Sequence, residues 1–124
     1  MYVSYKNNPK VAMFLVYVRE IHPARETGEG PPKNPQGPGD IVQHKTMDDR
    51  IVAASACAKG LNLTLPVLID SMDGVAEKAY RGVPAATAIV DLDGNLVFHS
   101  EGPNGVQPKE AEKVLRRLLD QPAK

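Results

Sequence analysis

The chain has no tryptophan, two phenylalanines and four tyrosines, so aromatic side chains make up only 5% of its 124 residues. Base-stacking platforms are built from exposed aromatics, and so small a supply argues against a single-stranded nucleic acid partner. Net charge is zero as well. That removes the basic surface that duplex nucleic acid or an anionic membrane would need. There is one cysteine, Cys57. It cannot form an internal disulfide, and a lone thiol suits a reducing compartment, so a cytoplasmic location is expected. The longest apolar run, Val11 to Val18, is too short to span a bilayer. Met1-Tyr2-Val3-Ser4-Tyr5-Lys6 offers no basic start followed by an apolar core, and does not read as a signal peptide. The three histidines and the cysteine show no metal-ligand spacing, and no metal or other cofactor is expected.

What is present is ordinary for a globular chain: 42% hydrophobic and 24% charged residues, the content of one domain over residues 1–124. Val11-Ala12-Met13-Phe14-Leu15-Val16-Tyr17-Val18 is a continuous apolar run of strand length, the pattern of a strand covered on both faces. Polar residues follow it, Arg19-Glu20-Ile21-His22-Pro23, at the rim where α/β folds place their sites. Residues 23–40 are rich in Pro and Gly and hold neither helix nor strand, so they read as a long loop. Thr46 with Asp49 makes a variant capping box for a helix from Met47 to about Lys59. Its expected apolar face is Ile51, Ala54, Ser55 and Ala58, with Val52 alongside, and Gly60 suits a left-handed C-terminal cap. Pro66 to Asp70 reads as a short strand, and Ser71 and Asp73 open a short helix, Gly74 to Tyr80, closed by Gly82.

The centre of the pattern is Val83-Pro84-Ala85-Ala86-Thr87-Ala88-Ile89-Val90-Asp91, which runs through Leu92-Asp93-Gly94-Asn95 into Leu96-Val97-Phe98-His99. Asp-Gly between two apolar runs signals a hairpin, because Gly supplies positive φ freely. The run of acidic residues also looks like the start of a calcium loop, but it lacks the downstream Glu and sits between strands. Pro108 opens the last helix, whose residues Ala111, Val114, Leu115, Leu118 and Leu119 form one apolar stripe. The order is β-loop-α-β-α-β-β-α.

That order, with a proline opening the hairpin and a helix after it, is similar to the later part of a thioredoxin-like fold. The specific residues resemble the iodothyronine deiodinase family and its bacterial relatives. Phe14 to Val18 running into Glu20-Ile21-His22 is similar to that family's strand ending in Glu-x-His. Gln43-His44, followed by Asp49-Arg50, resembles its second histidine motif. Pro66-Val67, Gly82-Val83-Pro84 and Gly102-Pro103-Asn104-Gly105 fall where the family has a Pro-Val strand, a Gly-x-Pro and a Gly-Pro-x-Gly. The resemblance covers roughly residues 8–120.

The resemblance implies an α/β, thioredoxin-like mixed sheet flanked by helices. It also implies that the first βα unit, which carries the family's selenocysteine or cysteine nucleophile, is not among these residues. The Asp-Gly-Trp of the family is absent, and Ala85-Ala86 stands where an acidic-Arg pair is often found. The chain as given is therefore expected to be a redox protein by resemblance, inactive by itself. A non-catalytic thioredoxin-like binding or structural module is the alternative. The upstream coding DNA separates the two: an in-frame strand followed by Cys or UGA supports the first.

By the same resemblance, His22 and His44 are the catalytic candidates, through proton transfer or by polarising the substrate. Glu20, Arg50, Val83 and Pro84 are the substrate-binding candidates, with Glu20 a partner for His22 or Arg50 and Pro84 shaping the groove. The Val83–Pro84 peptide is expected to be cis. Cys57, in Ala-Ser-Ala-Cys-Ala at mid-helix without a basic neighbour, reads as structural. His99 reads as a surface residue. The implied partner is a small molecule or a thiol reductant. Without the first core strand, two strand edges need partners. Direct pairing of the strands at 12–18 and 86–91, or a homodimer through exposed edges, is expected ahead of substitution by Tyr2-Val3-Ser4-Tyr5.

Overall fold

The computed structural model of the chain describes residues 1–20 and 43–122. His22 and the loop at 23–40 lie outside the described residues. In chain order the elements are α1 (Tyr2–Tyr5), β1 (Leu15–Tyr17), α2 (Met47–Gly60), β2 (Val67–Ile69), α3 (Val75–Tyr80), β3 (Ala86–Val90), β4 (Leu96–Glu101) and α4 (Pro108–Leu119). The architecture is mixed α/β, with parallel and antiparallel strand pairs and helices, consistent with a thioredoxin-like fold. Two compact units make up the chain: Met13–Ala76, and Met1–Ala12 together with Glu77–Lys124. None of the described helices is long and apolar enough to cross a membrane.

In the unit Met13–Ala76, β1 and β2 pair in parallel, with Leu15 opposite Val67, Val16 opposite Leu68 and Tyr17 opposite Ile69. The ladder is extended by the Leu15 N–H to the Pro66 carbonyl and by the Asp70 N–H to the Tyr17 carbonyl. The strand is shorter than the apolar run, because its partner begins at Pro66, which has no N–H to give. Nor is it covered on both faces. Alternation puts Val16 and Leu68 on one face, and they are 42% and 48% exposed. An unbroken apolar run does not reveal whether its second face has a cover.

Helix α2 starts as its sequence requires, with Thr46 Oγ1 accepting the Asp49 N–H at 3.1 Å. Its end and its buried face differ from expectation. Gly60 is still helical, and the left-handed residue is Asn62, at φ 51°. The Leu63 N–H reaches the Ala58 carbonyl and the Asn62 N–H reaches that of Lys59, the paired bonds of a Schellman end. The short Asn side chain tolerates left-handed backbone. The inward face is Arg50, Ala54, Cys57 and Ala58, while Ile51 and Val52 are exposed. Rotating the stripe by one residue exchanges Ile51 for Arg50, because Arg50 finds buried acceptors, described below.

In the other unit, β3 and β4 form the expected antiparallel hairpin, with an irregularity between Ile89 and Val90. Asp91 organises the turn: its Oδ1 accepts the N–H groups of Asp93 and Asn95, each at 2.9 Å. Gly94 takes φ 85° there. Helix α4 has Pro108 in its first turn, and Ala111 on its inward stripe is fully buried. The single turn α1 is tied to it through the Tyr5 hydroxyl, which donates to Glu112 Oε1 at 3.1 Å. Residues Tyr2–Tyr5 are thus helical and do not substitute for a strand, and direct pairing of the strands at 12–18 and 86–91 is not among the ladders. Arg81, at φ 51°, takes a left-handed conformation just after α3, and the Gly82 N–H reaches the Glu77 carbonyl. His99 is exposed on β4, with Nε2 donating to the Tyr80 carbonyl at 2.6 Å.

Candidate functional site

The interior of the Met13–Ala76 unit is not simply apolar. His44, Arg50 and Asp70 are 5%, 3% and 5% exposed, beside Tyr17 and Ala54. Burying charged and polar side chains is costly unless each finds a partner. Each is supplied by a different element: Tyr17 ends β1, His44 stands just before α2, Arg50 lies in the first turns of α2, and Asp70 follows β2.

Arg50 is the hub. Its Nε donates to His44 Nδ1 at 3.0 Å. Its Nη1 donates to the carbonyl oxygens of Asp70, at 3.2 Å, and Ser71, at 2.7 Å. Those carbonyls are held in turn, because Asp70 Oδ1 accepts the N–H groups of Ser71 and Ala76 at the entry to α3. Guanidinium nitrogens only donate, so His44 Nδ1 must accept and the ring proton must sit on Nε2. His44 Nε2 is buried and has no hydrogen-bond partner among the described residues. A buried donor left unsatisfied costs about 1–3 kcal/mol, which makes this atom ready for an acceptor brought by a ligand. Burial, followed by the nearby Arg50 charge, lowers the His44 pKa, while Glu20 and Asp49 pull it the other way. At neutral pH the ring is therefore uncharged and a donor, a state that polarises an acceptor and does not take up its proton.

The second group is Tyr17, Glu20 and Gln43. The Tyr17 hydroxyl donates to Glu20 Oε1. Gln43 Oε1 accepts the Glu20 N–H at 3.1 Å while Gln43 Nε2 donates to the Glu20 carbonyl at 2.7 Å. One amide thus fastens residue 43 to residue 20, the two flanks of the segment 21–42. The Tyr17 ring lies 5.7 Å from that of His44, tilted by 54°. Burial, the bond to Glu20 and the Glu20 charge all push the Tyr17 hydroxyl above the ordinary tyrosine range. Burial, then Glu20, raises the Cys57 thiol, the opposite of what a reactive cysteine requires.

Of the residues picked out from sequence, His44 and Arg50 share one hydrogen-bonded network, and Glu20 stands beside it through Tyr17, whose ring faces that of His44. The expected partner of Glu20 is His22 or Arg50; His22 lies outside the described residues, Arg50 is turned to His44 and the 70–71 carbonyls, and Glu20 accepts from Tyr17. Val83 and Pro84 belong to the other unit, where their peptide is cis. His22 is outside the described residues. Tyr17, Gln43 and Asp70 were not anticipated. Tyr17 and Asp70 each end a strand run with a polar group, and that was the available signal. Among the described residues no three His, Cys, Asp or Glu side chains gather as a metal site.

The family description that fits this arrangement is specific. A family model described as iodothyronine deiodinase matches residues 4–119, a span that takes in both strand pairs, the His44–Arg50 network and α4. The chain belongs to the iodothyronine deiodinase family.

Proposed function

We propose that this chain supplies the substrate-polarising part of a deiodinase-like thiol or selenol redox site, with His44 Nε2–H as the donor to an electronegative atom of a small-molecule substrate. The observation that carries the reading is a buried Nε2, without a partner among the described residues, on a histidine whose other nitrogen is already occupied. A neutral imidazole presented in this way stabilises developing negative charge on a bound group without reorganisation. His22, four residues beyond Val18 in sequence, is by resemblance the second histidine of the site. Val83 and Pro84 are, by the same resemblance, substrate-binding candidates.

The electrons for a redox step come, in this reading, from a thiol or selenol that the described residues do not contribute. Cys57 is a poor candidate, since burial and Glu20 favour its protonated form and the thiolate is the nucleophile. The partner is then either a nucleophile encoded elsewhere in the same gene product or a separate thiol reductant. A free, unactivated thiol fits a cytoplasmic setting. The elevated Cys57 also favours a second reading, a thioredoxin-like module that binds without turnover.

Titration of the ¹⁵N-labelled chain with an ortho-diiodinated phenol tests the first reading. His44 side-chain resonances should move with saturation, and the response should vanish in His44→Phe. A titration that leaves His44 unmoved removes the assignment. Binding without dehalogenation in the product of the complete reading frame, with dithiothreitol present, would favour the binding module.

A further inference from the structure

We infer that Arg50 is the positioning residue of this site: by donating Nε–H to His44 Nδ1 it fixes His44 as the Nε2–H tautomer, and so as a donor toward the ligand. The inference rests on the proposed role of His44, yet its central claim concerns the ring alone. A substrate-binding role for Arg50, the sequence expectation, does not suit a guanidinium that already donates to three acceptors of the protein itself.

The selection of Arg over Lys follows from shape. Nη1 donates to two carbonyls, those of Asp70 and Ser71. With Nη1 held at two points, the rigid plane of the guanidinium fixes the direction of the Nε–H. An ammonium on a flexible stem has no such plane. The two carbonyls are fixed by the turn between β2 and α3, where Asp70 Oδ1 accepts from Ser71 and Ala76. The start of α3 therefore sets the carbonyls, the carbonyls set the guanidinium, and the guanidinium sets the proton position on His44.

The other groups facing His44 do not compete for Nδ1. The Tyr17 hydroxyl is donated to Glu20, and its ring stands at 5.7 Å from the His44 ring. Glu20 and Asp49 act on His44 through their charge. Because Arg50 is a donor only, a protonated Nδ1 would bring two donors face to face. The lock therefore excludes both the alternative tautomer and the imidazolium.

The wild-type chain carries the first test. Long-range ¹H–¹⁵N spectra of the histidine side chains should show His44 with a protonated Nε2 and an unprotonated Nδ1 at neutral pH. A ¹⁵N–¹⁵N coupling through the hydrogen bond should connect Arg50 Nε with His44 Nδ1. A protonated Nδ1 overturns the inference. In Arg50→Met, which cannot donate, the Nδ1–H tautomer should appear and the His44 titration midpoint should move up. Retention of the pure Nε2–H form and an unmoved midpoint in a folded Arg50→Met also overturns it. If that variant does not fold, the wild-type tautomer and coupling decide alone. Both readouts are independent of ligand, so failure of the iodophenol titration would leave them intact.

Discussion

Gly105 stands so close to Ala85 that a Cβ at position 105 would lie 2.1 Å from the Ala85 carbonyl oxygen and 2.6 Å from its carbon. Backbone, not a flexible side chain, occupies that space. The Gly105 carbonyl also accepts from Thr87 Oγ1 and Ser100 Oγ, each at 2.7 Å. This one residue thus seats the turn before α4 against both strands of the hairpin and against the residue after Pro84. Gly105→Ala should lower stability by about 1–3 kcal/mol or more, the usual range for overpacking. Urea unfolding measures it, and a midpoint equal to wild type would contradict the close approach.

The His44 environment gives stability a pH dependence of known sign. In the unfolded chain a histidine takes up its proton near pH 6.5, whereas burial and Arg50 lower the folded value. Between the two values the unfolded state binds more protons, so stability rises with pH there. The contribution is complete above about pH 6.5 and is lost as pH falls through the folded pKa. Urea midpoints for wild type and His44→Gln, compared from pH 8 to 5, should diverge in steepness. Parallel profiles would show that His44 titrates normally.

Tyr17 should stay protonated through the ordinary tyrosine range near pH 10, because burial and the Glu20 bond oppose ionisation. The tyrosinate absorbance of wild type minus Tyr17→Phe should show no step there. Loss of the hydroxyl should also cost about 1.5–3 kcal/mol, the range for a bond to a charged acceptor. A normal step in the difference spectrum would place the hydroxyl in solvent.

Cys57 should be a slow thiol. Its raised pKa leaves little thiolate at neutral pH. Reaction with an aromatic disulfide reagent should be well below that of free cysteine, and should reach the free rate only on unfolding. Insulin reduction by the chain should not exceed that of Cys57→Ser. Cys57-dependent turnover would return the thiol to the list of nucleophiles.

Local rules are legible wherever a residue's neighbours in sequence are also its partners. The Thr46 cap, the Asp91–Gly94 turn, Pro108 at the start of α4 and the stripe from Ala111 to Leu119 all belong to this kind. So does the family likeness, which is carried by short motifs in order. The left-handed position at the end of α2 falls on Asn62, two residues beyond the expected Gly60. Glycine permits positive φ but does not compel it, and the last carbonyls bonded in each helix determine where the chain must turn.

The sequence by itself determined the α/β order, the helix ends that are capped locally, the hairpin and the choice of His44 as a functional candidate. Only the tertiary structure decided what His44 can do. Arg50 is six residues along from His44, but the carbonyls that aim its guanidinium are twenty and twenty-one residues further on, after β2. Tertiary structure also turned α2 so that Arg50 points inward and Ile51 outward. Apolar periodicity alone favours the reverse. A buried guanidinium becomes tolerable when acceptors from the segment before α2 and from the turn after β2 converge on it, and that convergence is a property of the folded chain.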